Sequence, residues 1–335
     1  MIGHEILFTS KGVAEYLPYE VPSPGPDEVL IENDYTVLSA GTERACLIDL
    51  PNTIHTWPKR LGYSGSGHII AVGSEVTKFR VWDLVLTDHL GHRSHVVARF
   101  RENGDGFFPV TENVSPLEAA FVVIGSMGVQ GARKTRLQLG ESGMVTGLGI
   151  LGLFAVQTLA LSGGMPVIAV DFDARRREIA MELGADAALS PAEPDFRDRV
   201  EELTRGRMIN CNVEVTGSSK ALLQALEVAA PEGRIALTGC TRVSDTPIDF
   251  YSMVHKPGVQ IIGAHNFVRP RMDSREGYWT RHDDFTMMLG MMARGKMKAA
   301  PIISEVVSPT RAPEIYRALA EKPSMPLGIV FDWHK

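Results

Sequence analysis

The chain has 335 residues, 44% hydrophobic and 22% charged, enough for a sizeable core and about two domains. Its formal net charge is −6 and its longest basic run is the three arginines at 175–177, so nothing marks it for nucleic acid. Three widely spaced cysteines (Cys46, Cys211 and Cys240) with no C-x-x-C pair argue against a disulfide framework or a structural zinc lobe, and fit a reducing cytoplasm.

The chain opens without a basic region followed by an apolar core, so no secretory leader is expected. The first third reads as β structure. "HEILFT", "EVLIENDYTVL", "HIIAVG", "DLVLTD" and "HVVAR" alternate or run apolar between turn residues, and "PSPGPDE" is a loop. Such a succession of short strands predicts a barrel-like or irregular sheet. Near residue 116 the rhythm changes to a helix start, with Ser115 as N-cap, Pro116 in the first turn and Glu118 at the third position.

Strands and helices then alternate: "GMVTGLG", "ILGLFAVQTLALS", "PVIAVD", "ARRREIAMEL", "DAAL", "FRDRVEELT", "CNVEVTG", "KALLQALEVA", "GRIALTG" and "VQIIGAH". This alternation predicts an α/β fold with a doubly wound parallel sheet covered on both faces. The uncharged stretch 143–170 is long enough for a membrane span, but glycines at 143, 147, 149 and 152 and Pro166 favour a buried strand–helix–strand unit. The tail returns to mixed elements. The expected division is 1–115, 116–265 and 266–335, the last part rejoining the first.

"VTGLGILG" places Gly147, Gly149 and Gly152 in a G-x-G-x-x-G directly after a strand and at the start of a helix. Gly147 permits the tight turn, Gly149 leaves room for a pyrophosphate, and Gly152 lets helix and strand pack closely. The main-chain N–H groups at the helix start, from Ile150 and Leu151 onward, face the anion. Asp171 ends the next strand, 19 residues after Gly152, where a carboxylate accepts from the adenosine ribose hydroxyls and repels a 2′-phosphate. That favours NAD over NADP. The arginine run, Arg176 included, is the opposing hint, because an arginine there can hold the phosphate or simply face solvent. Ligands sit at the carboxyl ends of parallel strands, so Thr216 and Gly217, Thr238 and Gly239, and His265 are expected along the nicotinamide half.

With "PGPDEVLIEN", "SAGTER", "LGYSGSGHIIAVGSEVTKFRVWDLV", "VTGLGILG", "VIAVDFD" and "ELGADAAL" in this order, the whole chain resembles the medium-chain dehydrogenase/reductase superfamily. The resemblance implies a GroES-like catalytic domain, a Rossmann domain and a C-terminal return to the first, with relatives commonly dimers or tetramers. It also implies a zinc-independent member. Ala40, Tyr63 and a residue near Val123 stand where zinc-dependent members carry ligands, and Ser64 follows Tyr63 in place of a glutamate. Alanine and valine cannot coordinate and a neutral phenol is a poor ligand. His89, His92 and His95 have metal-like spacing, or are loop and edge-strand histidines.

A site without a metal needs hydrogen-bond donors and a proton source. The resemblance places Thr42 at a proton-relay position, whose onward histidine would fall at Ala45. Tyr63 can donate, and Glu43 can orient Thr42 or accept a proton. Equally, Thr42 can cap a turn, Tyr63 can plug the vacated metal cavity, and Glu43 can pair with Arg44 or Arg60. In 263–285, His265, Asn266, Arg269, Tyr278, Trp279 and His282 could line a hydrated substrate pocket or an exposed subunit contact. The expected function is NAD(H)-dependent hydride transfer on a hydroxyl or carbonyl of a sugar- or polyol-type small molecule. The alternatives are a zinc-free quinone or enone reductase and a nucleotide-binding protein without turnover. No nucleic acid or membrane partner is expected, and a cytoplasmic homodimer or homotetramer is.

Overall fold

The computed structural model describes residues 1–321 and 326–335. It separates into two compact units, Met1–Ile124 with Phe285–Lys335, and Gly125–Asp284. These divisions fall later in the chain than 116 and 266. The physical reason at the first is that residues 116–124 are tied into the β-rich unit. Ser64 Oγ donates to the Ala120 carbonyl at 2.6 Å and accepts from Ile124 N–H at 3.0 Å, and Ser66 Oγ donates to the Pro116 carbonyl at 2.6 Å. Ser64 is therefore consumed in the fold. Ser115 caps the short helix Pro116–Ala119 as its sequence position predicts, accepting from Glu118 N–H.

In the first unit, Ile2–Ser10 and Val13–Glu20 form an antiparallel hairpin. A second sheet runs in the order Glu305–Val307, Ile329–Asp332, Val29–Val37, Ser64–Val72, Leu84–Asp88, Gly106–Pro109, with His95–Ala98 also paired to Val29–Val37. Alternation along these strands sends Val29, Ile31, Ile69, Val85 and Phe107 into one cluster. Ile6, Phe8, Leu47, Tyr316 and Phe331 form another.

Two features of this sheet position side chains of interest. Val29–Val37 leads into the helix Ala40–Leu47, an element without a sequence signal because Gly41, Thr42, Glu43 and Arg44 interrupt any apolar stripe. Ser64 pairs with Asp88 across the antiparallel ladder, so the residues just outside that pair, Tyr63 and His89, also lie opposite each other.

The second unit holds a six-stranded parallel sheet in the order Ala187–Leu189, Val167–Val170, Gly143–Thr146, Ile209–Glu214, Ala229–Leu237, Gln260–Gly263. This is the doubly wound Rossmann order, with the first strand central and the strand order reversing beside it. Its inner strands Gly143–Thr146 and Val167–Val170 are buried on both faces, and Met144, Ile168, Val170 and Ile235 share a cluster with Leu226 of a covering helix. The uncharged stretch 143–170 resolves into strand, helix Ile150–Leu161 and strand. Among the described residues no helix is long and apolar enough to cross a membrane.

Candidate functional site

The glycine loop has the geometry of a phosphate cradle. Gly147 sits at φ +96°, outside the range comfortable for other residues, and a Cβ on Gly152 would lie 1.9 Å from the Gly147 carbonyl oxygen. A Cβ on Gly149 would meet nothing within 4 Å, so that side of the turn is open. Gly149 is also the N-cap of helix Ile150–Leu161 and offers no side-chain cap. The first N–H groups of the helix, from Ile150, Leu151 and Gly152, consequently have no intrahelical acceptor to meet and suit an anion.

Asp171 stands beside this turn. Its Oδ2 accepts from Leu148 N–H at 2.7 Å and its Oδ1 from Asp173 N–H at 2.9 Å, which leaves carboxylate lone pairs for ribose hydroxyls. The arginines are largely committed elsewhere. Arg175 pairs with Glu178, and Arg177 Nη1 donates to the carbonyls of Asp171 and Phe172 at 2.7 and 2.9 Å. Arg176 donates its main-chain N–H to Asp173, the helix N-cap.

The later strand ends come together through a residue that sequence reading passed over. Glu214 is buried at the end of Ile209–Glu214, and its carboxylate accepts from the N–H groups of Thr216 at 2.6 Å and Gly217 at 3.1 Å, and from the Thr216 hydroxyl. Burial raises its pKa, opposed by these hydrogen bonds. The Glu214 carbonyl accepts from Thr238 and Gly239 N–H, so one residue organises both turns. The Thr238 hydroxyl is buried without a hydrogen-bond partner among the described residues. His265 is exposed beyond Gln260–Gly263, its ring accepting from Phe267 N–H.

The residues expected to line a hydrated pocket in 263–285 are mostly taken up by the fold. Arg269 is bound to Asp284, to the Ser126 carbonyl at 2.8 Å and to Asn266. Trp279 lies under Arg133 and Tyr278 under Lys134, each cation 3.6 Å from the ring centroid.

In the β-rich unit, Ser39 stands at the N-cap of helix Ala40–Leu47 but makes no side-chain cap. Its hydroxyl instead lies 2.6 Å from Tyr63 Oη. The Tyr63 ring stacks on that of His89, with centroids 5.4 Å apart. Thr42 is half-buried in the first turn of the same helix, and its hydroxyl has no partner among the described residues.

Glu43 does not join this group. It is 1% exposed, and its carboxylate accepts from Ser39 N–H at 2.9 Å, from His92 Nε2 at 3.1 Å and from the Tyr316 hydroxyl. His92 Nδ1 in turn meets Thr36 Oγ1 at 2.8 Å, which accepts from Trp333 Nε1. Glu43 is thus a buried carboxylate whose hydrogen bonds hold the start of the helix, while Arg60 pairs with Glu5 and Arg44 with the Leu319 carbonyl instead. Burial and the Glu43 charge together push the Tyr316 phenol well up.

The three histidines do not converge. His92 is locked inside this network, and His95 bonds Ser94 Oγ, with burial lowering its pKa. Among the described residues the only grouping of metal-type ligands is Asp88, His89 and Asp105. Nor do the positions where the resemblance puts zinc ligands fit that ion. Val123 is buried, Ala40 packs against the apolar cluster, and the Tyr63 hydroxyl is bonded to Ser39.

Residues 151–276 match the family described as zinc-binding dehydrogenase. The chain is 27% identical to an L-threonine 3-dehydrogenase of Pyrococcus horikoshii over 77% of its length and 81% of the relative's. It is 28% identical to a sorbitol dehydrogenase of Bacillus subtilis over 70% and 74%. The crystal structure of galactitol-1-phosphate dehydrogenase from Escherichia coli superposes with a TM-score of 0.84 at 18% identity, covering 98% of this chain and 99% of that one. The chain shares the α/β fold of these dehydrogenases and is similar in sequence to enzymes named for alcohol and polyol substrates. The protein is an oxidoreductase.

Proposed function

We propose that this enzyme moves a hydride between NAD(H) and a hydroxyl or carbonyl of a polar small molecule, of sugar or polyol type, without a catalytic zinc. The observation that carries the reading is the Ser39–Tyr63 hydroxyl pair, 2.6 Å apart, at a position where zinc-dependent relatives are expected to hold a ligand. Bound NAD would supply the hydride acceptor at its nicotinamide ring. The chain's own residues would do the rest. Gly149 and the helix start cradle the pyrophosphate, and Asp171 holds the ribose hydroxyls and repels a 2′-phosphate. Thr42 and Tyr63 offer hydroxyl groups to the substrate oxygen, stabilising the charge it develops.

Substrates with several hydroxyl groups suit this arrangement, and the similar proteins act on threonine, sorbitol and galactitol 1-phosphate by their names. The same reading extends to a cytoplasmic homodimer or homotetramer, supported by the exposed edge strand Gln260–Gly263, whose outer side is unpaired among the described residues.

The test combines cofactor binding with turnover. Protein fluorescence should be quenched by NADH at concentrations where NADPH has no effect, and a panel of sugars and polyols should be oxidised with NAD at a rate unchanged by chelators. Tightly held stoichiometric zinc would refute the metal-free part. Binding of NADH with no turnover across the panel would instead mark a nucleotide-binding protein.

A further inference from the structure

We infer that His89, oriented by Asp88, is the proton acceptor for the substrate hydroxyl. The inference rests on the oxidoreductase reading and adds to it the base that Tyr63 and Thr42 do not provide.

Antiparallel pairing of Ser64 with Asp88 sets His89 across from Tyr63, and the two rings stack with an interplanar angle of 24°. Asp88 is 2% exposed, and its Oδ1 lies 2.6 Å from His89 Nδ1. A carboxylate can only accept, so the shared proton sits on Nδ1 and the lone pair of the neutral ring is left on Nε2. Nε2 has no hydrogen-bond partner among the described residues, and the side chain is 33% exposed, so a substrate hydroxyl can reach it. The His89 backbone is held at φ 59°, a left-handed conformation that a histidine adopts at some cost in energy and that the surrounding ladder must enforce. Asp105 also faces the ring, but its Oδ1 is 3.9 Å from Nδ1, too far to compete with Asp88 for the proton. Tyr63 covers one face of the ring.

The step balances. The substrate O–H bond breaks with its proton going to His89 Nε2. The carbinol C–H bond breaks as the C=O bond forms, and bound NAD, which the glycine loop and Asp171 would hold, would accept the electron pair as hydride. The imidazolium then returns its proton to solvent, and Asp88 stabilises it meanwhile. In the reverse direction the same ring donates. Asp88 is a positioning residue, fixing the tautomer without touching substrate.

Two measurements test this, the first on cofactor-free protein. In ¹⁵N NMR of histidine-labelled protein, His89 should appear as the Nδ1–H tautomer and should lose that preference in Asp88→Asn. An Nε2-protonated ring, or a ring shifted by a bound divalent metal, would overturn the assignment whatever the enzyme turns over. In the second, kcat/KM for polyol oxidation is followed against pH. His89→Gln should lower it by roughly 10²–10⁴-fold and abolish the acidic limb, with NADH binding retained and exogenous imidazole restoring rate to His89→Ala. Wild-type rates and an intact acidic limb in His89→Gln would sink the base while leaving the dehydrogenase reading standing. A wild type that turns over nothing would sink both.

Discussion

Ser39 Oγ and Tyr63 Oη lie 2.6 Å apart, although Ser39 occupies a helix N-cap where a serine ordinarily serves the main chain. Glu43 accepts from Ser39 N–H, which fixes the Ser39 main chain, while the Ser39 hydroxyl leaves the helix start uncapped and meets the phenol. Replacing Tyr63 by Phe or Thr42 by Val should therefore lower kcat about 10²-fold, with Ser39→Ala smaller, while NADH affinity shifts less than about threefold. Steady-state kinetics beside fluorescence titration separate the two quantities. Full activity in both Tyr63→Phe and Thr42→Val would remove the hydroxyl groups from the mechanism.

The glycine loop gives a paired prediction. Gly149→Ala meets no protein atom, so its thermal stability should stay within about 1 kcal/mol of wild type, while NADH affinity should fall if the methyl group enters the space proposed for the phosphate. Gly152→Ala collides with the Gly147 carbonyl and should lose stability as well as binding. Calorimetry with cofactor titration distinguishes them, and unchanged NADH affinity in Gly149→Ala would place the dinucleotide elsewhere.

The buried network around Glu43 should dominate the stability of its unit. Glu43→Ala strands the Tyr316 hydroxyl, His92 Nε2 and Ser39 N–H, and should cost about 3–5 kcal/mol in urea unfolding. The network also predicts an alkaline effect. Tyr316 holds its proton well above the ordinary phenol value of 10.0, so above that pH the unfolded chain loses a proton that the folded chain keeps. Stability then falls as pH rises, and Tyr316→Phe should flatten that slope. A slope that survives the substitution belongs to another group.

Lys134 carries a different cost. Its ammonium is buried with no hydrogen-bond partner among the described residues, against the Tyr278 ring, and burial with the charges of Arg269 and Arg275 lowers its pKa to about 8. From about 8 up to the ordinary 10.5 the unfolded chain binds the proton and the folded chain does not, so stability should rise with pH across that window. At pH 7 both states are charged and the burial penalty is fully present. Lys134→Met should raise the unfolding free energy there by roughly 1–2 kcal/mol, the lost ring contact offsetting part of the gain. A drop in Tm would show that the contact with Tyr278 outweighs desolvation.

Local pattern determined much of this protein. The strand and helix sequence, the Ser115 cap, the turn at Gly147–Gly152 and the acid at Asp171 all rest on periodicities of two and 3.6 and on spacings within one strand–helix–strand unit, which a linear chain displays directly. What only the tertiary structure decided was partnership. Glu43 finds His92 and Tyr316, 49 and 273 positions away, and so becomes a buried support where its position beside Thr42 suggested chemistry. His89 parts company with His92 and His95, because successive strand and loop residues point to different faces and environments, and joins Asp88 and Tyr63 through the ladder register. Glu214 is adjacent to the turn it organises, yet its role depends on being buried. Burial and through-space pairing are properties of the packed chain, and they decide which polar groups are spent on folding.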